Sequence, residues 1–395
     1  MLLKLLLAPA LLLLLVSLLN VVQAPAWSPW RLGVLSGEFG HWLALAALGV
    51  AGLAAMRGVA PAVPEQGGAL ALRWMTCGLA LVAAGLFAVP AFHAWRIGQA
   101  LPERVRALFV GKIPTTRALP ERSAFSLAGL FGGDPEPVPV ETLTVAPGLP
   151  LDFYRAVRSD GRAAPCVIVV HGGGWDSGDR TQLPGLNHWL ARRGYAVAAI
   201  SYRLAPAHRW PAQRDDVLQA IAFLKTRASA LGVDATRLVL LGRSAGGQIA
   251  QTVGYTAGDP ALRGVIGLYS PSDLIFGYVN TTEDDMLRSP ALMRQYLGGS
   301  PETARAAYES ASALYHVTPR VPPTLLLHGR NDALVWYRHS ERLEAKLREA
   351  GVPCLHVALP WATHAFEYNL HGPGGQLTTY ALEGFLAAVA GGERR

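Results

Sequence analysis

The sequence predicts an α/β fold for residues 141–395, with a mostly parallel eight-stranded sheet covered by helices on both faces, preceded by about three transmembrane helices. Two observations lead to this prediction. From residue 141 onward, short runs rich in β-branched residues alternate with helical stretches, as they do in parallel sheets. Residues 1–98 instead consist mainly of Leu, Ala, Val and Gly, a composition typical of membrane segments. We therefore expect two regions of different character.

Three apolar stretches lie within the N-terminal region. Residues 2–22, 39–56 and 74–92 each approach the length that a helix needs to cross about 30 Å of hydrocarbon, and tryptophans lie at their borders. A multi-pass protein with the lipid bilayer as a partner is therefore expected. The basic residues that flank the stretches are divided between the two sides, so they predict no orientation. For the first stretch, a signal peptide cleaved near Ala24 is the alternative.

The prolines of residues 99–140 predict a linker that carries a short amphipathic helix around residues 105–110. The change in composition near residue 98 suggests that the membrane region and residues 141–395 are independent. On this interpretation, a fragment beginning near Val138 is expected to be soluble and active without detergent.

Eight strands are predicted in the C-terminal domain, at residues 141–145, 151–156, 166–170, 196–201, 238–241, 265–269, 324–327 and 355–359. Helices are predicted over residues 213–231, from Ser244 to about Tyr255, and over residues 339–350. Residues 273–319 contain helical patterns without a strand. They are therefore predicted to be an insertion that lies over the carboxyl edge of the sheet.

A Gly-x-Ser-x-Gly motif is formed by Gly242, Ser244 and Gly246. An apolar strand runs directly into the motif and a helix is predicted to follow it. A strand, turn and helix in this order present a serine hydroxyl at the edge of a sheet as a nucleophile. Glycine-rich turns also occur without function, but the flanking strand and helix favour Ser244 as the nucleophile.

A second glycine motif, from His171 to Trp175, contains three consecutive glycines and directly follows the strand at residues 166–170. Acyl transfer develops negative charge on the carbonyl oxygen, which backbone N–H groups can stabilise. Gly173 and Gly174, together with the amide of Ala245, are predicted to form this oxyanion hole. A glycine turn without function is the alternative.

Asp332 and His364 complete the predicted catalytic triad. Asp332 follows the strand at residues 324–327 and His364 follows the last strand, which gives the chain order Ser, Asp, His. His364 is expected to take the proton of Ser244 while Asp332 orients the imidazole. Asp273 is the competing acid and His371 the competing base.

Four motifs taken together resemble the hormone-sensitive-lipase-like branch of the α/β hydrolases. They are His171-Gly-Gly-Gly-Trp175, Tyr202-Arg-Leu-Ala-Pro206, Gly242-Arg-Ser-Ala-Gly-Gly247 and His328-Gly-Arg-Asn-Asp332. The resemblance covers about residues 141–390 and implies an α/β-hydrolase fold with esterase activity. Two residues depart from the pattern, because Arg243 stands where the branch usually has Asp and Ala365 where Gly is common. The N-terminal helices have no counterpart in the usual soluble members.

These features predict a serine carboxylesterase or short-chain lipase that forms an acyl-enzyme on Ser244. The expected partner is a small-molecule ester, and proximity to a bilayer favours an amphiphilic one. The triad requires no cofactor and no metal. An amidase or serine peptidase with the same triad is the alternative, and a non-catalytic binding protein is a third reading, against which the intact Ser, His and Asp argue.

Charge and cysteine content exclude other classes. Lys and Arg outnumber Asp and Glu by 10 to 6 in residues 1–140 and by 25 to 22 in residues 141–395. This near balance, without a basic run, predicts no nucleic-acid partner. The three scattered cysteines lack the spacing of a zinc site, and no disulfide is predicted.

Arg243 precedes the predicted nucleophile. Because the serine is presented on one side of the turn, the preceding side chain is expected to point to the other. We therefore expect Arg243 to form a structural ion pair with Asp176 or Asp179 in the loop after His171. The alternative places its guanidinium in the pocket, where it would favour substrates with an anionic group.

Overall fold

The computed structural model describes residues 2–56, 67–109 and 120–391. Residues 110–119, which include part of the predicted linker and Val110 of the predicted amphipathic helix, lie outside the described residues. Within these described ranges, four α-helices precede the sheet: α1 (Leu2–Ser17), α2 (Trp27–Glu38), α3 (Gly40–Met56) and α4 (Gly67–Phe109). A 3₁₀ turn, Leu18–Asn20, extends α1.

The N-terminal helices meet the prediction of about three transmembrane helices only in part. Among the described residues, one helix, Gly68–Ala107, is long and apolar enough to cross a membrane. A second candidate arises if α2 and α3, which meet at an angle of 87°, are counted as one span, and the apolar helix Leu5–Asn20 is shorter. The sequence did not predict α2, since its Gly, Ser and Arg residues interrupt the apolar pattern.

The eight predicted strands form one sheet in the order β1-β2-β4-β3-β5-β6-β7-β8. Only β2 runs antiparallel to its neighbours, which are β1 and β4. The strands are β1 (Val140–Ala146), β2 (Leu149–Tyr154), β3 (Ala164–Val170), β4 (Ala196–Ile200), β5 (Val233–Arg243), β6 (Leu262–Leu268), β7 (Thr324–Gly329) and β8 (Cys354–Leu359). The central strands β3 and β4 are buried along their whole length, because helices cover both faces of the sheet.

The helices that flank the sheet are α5 (Pro184–Arg192), α6 (Ala212–Thr226), α7 (Ala228–Leu231), α8 (Ala245–Thr256), α12 (Arg338–Glu349) and α13 (Pro373–Val389). The helix predicted over residues 213–231 is therefore two helices, since Arg227 leaves the helical conformation with φ −96° and ψ 7°. The helix predicted from Ser244 begins one residue later, at Ala245.

The segment predicted as an insertion, residues 273–319, contains three short helices: α9 (Leu274–Val279), α10 (Ser289–Leu297) and α11 (Arg305–Ala311). A 3₁₀ turn, Ala313–His316, follows them. The side chain of Asp273 accepts a hydrogen bond from the backbone N–H of Phe276 and so caps α9. This segment links β6 to β7.

The change in composition near residue 98, where the boundary between membrane region and linker is predicted, lies inside helix α4. Helix α4 continues for 43 residues and places Leu101 and Val105 in the core that contains α13. Beyond the gap, Phe125 is buried in the same core, and Arg122 forms an ion pair of 3.2 Å with Glu383 of α13. The described part of the predicted linker is therefore packed against the C-terminal domain, because its apolar side chains complete the layer over the sheet.

Candidate active site

Ser244 lies in the turn between β5 and α8, with φ 51° and ψ −123°. Non-glycine residues seldom adopt positive φ, and such strain is concentrated at functional sites. The backbone N–H of Ser244 donates to the carbonyl of Leu268 on the neighbouring strand β6 at 2.9 Å, which holds the strained turn against the sheet.

The two glycines of the motif are required by close backbone contacts. A Cβ atom on Gly242 would overlap the carbonyl of Gly246, and a Cβ atom on Gly246 would overlap the carbonyl of His171. The second contact brings the turn of Ser244 against the loop that follows β3. A Cβ atom on Gly172 would lie only 3.2 Å from the Cβ atom of Ser244. The two glycine motifs are thus adjacent in space.

Asp332 and His364 are joined by a hydrogen bond of 2.7 Å between Oδ2 and Nδ1. Asp332 is almost completely buried, and its Oδ1 accepts from the backbone N–H groups of Leu334 and Val335 at 2.8 and 3.0 Å. Burial alone would raise the pKa of Asp332, but the nearby His364 and His328 and their hydrogen bonds hold this pKa below its ordinary value. The carboxylate is therefore ionised and fixed in place at neutral pH.

The competing acid and base have other partners. Asp273 forms an ion pair of 2.8 Å with Arg342 in addition to capping α9. His371 lies against Gly132, on the side of α13. The hydrogen bond to His364 thus distinguishes Asp332 from Asp273 as its carboxylate partner.

The glycine loop provides two unoccupied backbone donors beside Ser244. The N–H of Gly172 is engaged by the side-chain oxygen of Gln182 at 2.8 Å, whereas within the described chain the N–H groups of Gly173 and Gly174 donate to no protein acceptor. Both residues have positive φ, 121° and 57°, and both border the cavity that contains Ser244. Ala245, the third predicted donor, begins α8 beside Ser244 and lines the same cavity.

A buried ion pair beneath the turn that carries Ser244 corrects the predicted partner of Arg243. Arg243 is 1 % exposed, and its Nε donates at 2.9 Å to Glu367, not to Asp176 or Asp179. Asp179 accepts instead from Thr181. A structural ion pair was predicted and is present. Its partner differs because Glu367 lies in the loop after β8, far from Arg243 in sequence but adjacent across the carboxyl edge of the sheet.

Tyr269, which was not predicted to be a site residue, connects this ion pair to His364. The hydroxyl of Tyr269 donates to Oε1 of Glu367 at 2.5 Å, and the Tyr269 ring packs on the imidazole of His364 with 4.1 Å between ring centroids. Burial raises the pKa of Tyr269 well above its ordinary value, so the phenol stays protonated and remains a donor. Tyr269 directly follows β6, and this position is a sequence feature that indicates a site residue. Glu367 lies in none of the motifs found in the sequence.

A cavity of about 640 Å³ contains Ser244 and His364. Its lining is mainly apolar, and the α9 and α10 segments contribute Leu274, Phe276 and Leu292 to it. Trp27 and Trp30 of α2 also line the cavity, and the sequence analysis had not assigned them to the site. The cavity size is within the usual range for small-molecule sites. Among the described residues, no group of three His, Cys, Asp or Glu side chains is arranged to hold a metal ion.

This chain matches one family model and several curated proteins. The BD-FAE family model matches residues 151–347. The probable carboxylic ester hydrolase LipM of Mycobacterium tuberculosis is 31 % identical over 256 residues, which cover 60 % of this chain and 58 % of that protein. Esterase LipC of the same organism is 29 % identical and covers 60 % of this chain and 62 % of its own. The match spans about three fifths of the length of these curated relatives.

Solved structures with a similar fold also align with this chain. Thermogutta terrifontis esterase 2, phosphonylated by sarin, aligns with a TM-score of 0.54 at 22 % identity and covers 66 % of this chain and 99 % of that chain. An esterase/lipase from an uncultured bacterium aligns with a TM-score of 0.53 at 23 % identity and covers 74 % of this chain and 97 % of that chain. At this level of identity the likeness shows a shared fold.

Proposed function

We propose, from the α/β-hydrolase fold of this chain, that it is a serine carboxylesterase that hydrolyses carboxylic esters through an acyl-enzyme on Ser244. The observation that carries the proposal is the arrangement at one edge of the sheet. A strained serine and a histidine that is hydrogen-bonded to a buried aspartate face the same cavity. The two curated relatives described above are named as a probable carboxylic ester hydrolase and an esterase, which supports the same activity.

In the proposed reaction, His364 takes the proton of Ser244 as Oγ bonds to the carbonyl carbon of the ester. Negative charge develops on the carbonyl oxygen, where the N–H groups of Gly173, Gly174 and Ala245 are the proposed donors. The alkoxide leaves with the proton from His364. Water then attacks the acyl-enzyme, His364 takes its proton, and the carboxylic acid and the free Ser244 hydroxyl are released. Asp332 keeps the imidazole in the required tautomer throughout.

Labelling and hydrolysis by the full chain in detergent test this proposal. A fluorophosphonate probe is expected to label wild type and not Ser244→Ala, and hydrolysis of p-nitrophenyl butyrate is expected to fall by roughly 10⁴-fold or more in that variant. Circular dichroism checks that the variant remains folded. Hydrolysis of p-nitroanilides in preference to esters would favour an amidase or peptidase, and full labelling of Ser244→Ala would refute the assignment of the nucleophile.

We also propose that α1, α3 and the N-terminal half of α4 cross a bilayer as a three-helix bundle. The helices pack on one another mainly through small residues, including Ala47, Ala51, Ala80 and Ala83, as membrane helices do. Leucines on their outer surfaces are exposed, among them Leu12 at 62 %. Extended patches of exposed apolar side chains mark protein or membrane contacts.

Extraction with alkaline carbonate tests the membrane proposal. The full chain is expected to stay with the membrane pellet, because the exposed leucines lose their apolar surroundings in water. Recovery of the full chain in the supernatant would show that the helices associate peripherally or with another protein. The three-helix bundle would then be wrong.

A further inference from the structure

Helix α2 lies between the proposed membrane bundle and the catalytic loops. It meets α3 at 87°, so if α3 crosses the bilayer, α2 lies along the bilayer surface. Its outer side exposes Trp27, Leu32 and Leu35, each between 42 and 45 % exposed. Exposed Trp and Leu on a helix in this orientation are typical of a helix at the membrane interface.

The other side of α2 packs on the loop that carries His364. The space beside Gly33 is bordered by Thr363, the residue before His364, and the space beside Gly37 by the ring of Trp361. Close packing at both glycines brings the α2 backbone against the catalytic loop. One helix thus contacts the proposed bilayer surface on one side and the active site on the other.

The cavity above Ser244 is partly walled by α2. Trp27 and Trp30 stand edge to face, with ring centroids 5.5 Å apart, and both line the cavity. Two further aromatic residues of the lining are partly exposed, Trp336 at 45 % and Tyr368 at 59 %. Apolar side chains that reach from the rim to the serine are suited to an alkyl chain rather than to a sugar or a charged group.

We propose that the cavity opens at the bilayer surface and accepts an ester with a long acyl chain directly from the lipid phase, with Trp27 and Trp30 as the wall that holds the chain. This inference rests on the proposed esterase function and membrane insertion. Helix α2 orients the mouth of the cavity toward the lipid. The acyl chain passes from the apolar interior of the bilayer into the apolar cavity without crossing water. Long chains therefore incur no free-energy cost of exposure to water.

The test compares two esters in vesicles. The full chain is reconstituted in phosphatidylcholine vesicles, with p-nitrophenyl acetate supplied from water or p-nitrophenyl palmitate dissolved in the bilayer. In Trp30→Ala the ratio of palmitate to acetate hydrolysis is expected to fall about tenfold relative to wild type, since truncating an apolar pocket wall has effects of this order. Trp27→Ala is expected to lower the ratio less. Trp27 is 42 % exposed, so Trp27→Ala is expected to fold. This variant provides the test if Trp30→Ala does not fold.

Trp42→Ala provides the matched control. Trp42 lies near the start of α3, is 54 % exposed and does not line the cavity. Both hydrolysis rates are expected to stay within about twofold of wild type, since the ring contacts that are lost, with His41 and Phe131, involve no residue of the cavity lining. If wild type and both α2 variants hydrolyse acetate and show the same ratio of palmitate to acetate hydrolysis, the inference is overturned. The esterase proposal is then left intact. Failure of wild type to hydrolyse either ester would overturn both.

The position of α2 is tested separately by quenching. A fluorophore on Leu32→Cys is expected to be quenched by brominated phosphatidylcholine in the vesicles. The same fluorophore on Val157→Cys is expected to stay bright, because Val157 follows the antiparallel strand β2 and so lies at the opposite edge of the sheet. Equal fluorescence of Leu32→Cys with and without brominated lipid would place α2 away from the bilayer and overturn the inference.

Discussion

Arg243 and Glu367 form a buried ion pair that joins the turn of Ser244 to the loop carrying His364. Both side chains are within 1 % of complete burial. In the described part of the chain, Nη1 of Arg243 and Oε2 of Glu367 have no hydrogen-bond partner. Removing one partner of such a pair leaves an unpaired charge in a region of low dielectric constant, which is costly. The pair therefore fixes the relative position of the two loops.

Arg243→Met is expected to lower the free energy of unfolding by about 3–5 kcal/mol, measured as a lower thermal midpoint in detergent. The double variant Arg243→Met, Glu367→Gln is expected to be more stable than the sum of the two single changes predicts, because each single change disturbs the same interaction. An unchanged midpoint in Arg243→Met, with selective loss of turnover on a carboxylate-bearing ester, would instead place the guanidinium in substrate binding.

The choice of base is tested by comparing two histidines. His364→Ala is expected to reduce kcat about as much as Ser244→Ala, because the members of a triad act as a unit. His371→Ala is expected to retain most of the activity, since His371 lies against Gly132 and not at Asp332. Steady-state hydrolysis of p-nitrophenyl butyrate measures both. Greater damage from His371→Ala would mean that the base has been assigned wrongly.

At the scale of elements, Glu38 connects the end of α2 to the beginning of α13. Its carboxyl oxygens accept from the N–H of Gly374 at 2.8 Å and from the indole of Trp361 at 3.3 Å. The backbone carbonyl of Glu38 accepts from Asn369 at 3.0 Å. The first N–H groups of a helix have no partner within the helix, so the carboxyl oxygens of Glu38 supply acceptors at the start of α13.

Glu38→Ala is expected to lower the free energy of unfolding by about 1–3 kcal/mol, because it leaves buried donors without an acceptor. Glu38→Gln keeps one acceptor oxygen, and a smaller loss is expected. Thermal unfolding in detergent measures both. Glu103→Ala serves as the control, since Glu103 forms an exposed contact with Arg106. Equal midpoints for all three variants would show that the contact to α13 contributes nothing.

At the scale of the whole molecule, the N-terminal segment contacts the loop that carries Asp332. Asn331, next to Asp332, donates to the carbonyls of Leu19 and Val22 at 3.0 and 3.1 Å. Gln23 donates to the carbonyl of Asp332 itself at 3.2 Å. The segment between α1 and α2 thus holds the loop of the proposed triad acid.

These contacts revise the expectation for a fragment that begins near Val138. Such a fragment exposes the surface of α13 that Leu101, Val105 and Phe125 cover, and it lacks the α2 wall of the cavity. We now expect it to aggregate or to melt without cooperativity, and to react weakly with a fluorophosphonate. A fragment beginning at Ala94 keeps the part of α4 that packs in the core with α13, without the half that is proposed to cross the bilayer, and is expected to be more soluble. If the shorter fragment is monomeric and hydrolyses esters as fast as the full chain, the N-terminal helices are not part of the catalytic structure.

The sequence by itself determined the α/β class, the eight strands and the turn that carries Ser244. These features depend on local patterns: apolar runs of strand length, and glycines where backbones approach closely. The positions of Asp332 and His364 could be predicted because both follow strands whose carboxyl ends meet at one edge of a parallel sheet.

Only the tertiary structure decided which distant residues meet. Glu367 was not recognised as the partner of Arg243, since 123 residues separate the two in the chain and no local pattern records a contact made across a sheet edge. The amino-acid composition suggested an independent membrane region. Composition reflects whether a segment is surrounded by apolar or polar material, and it does not show which segments pack together. The N-terminal helices contact the catalytic loops through a few hydrogen bonds and apolar side chains from α2 and α4. These contacts arise only once the sheet has brought the loops together, so they leave no periodic signal in the sequence.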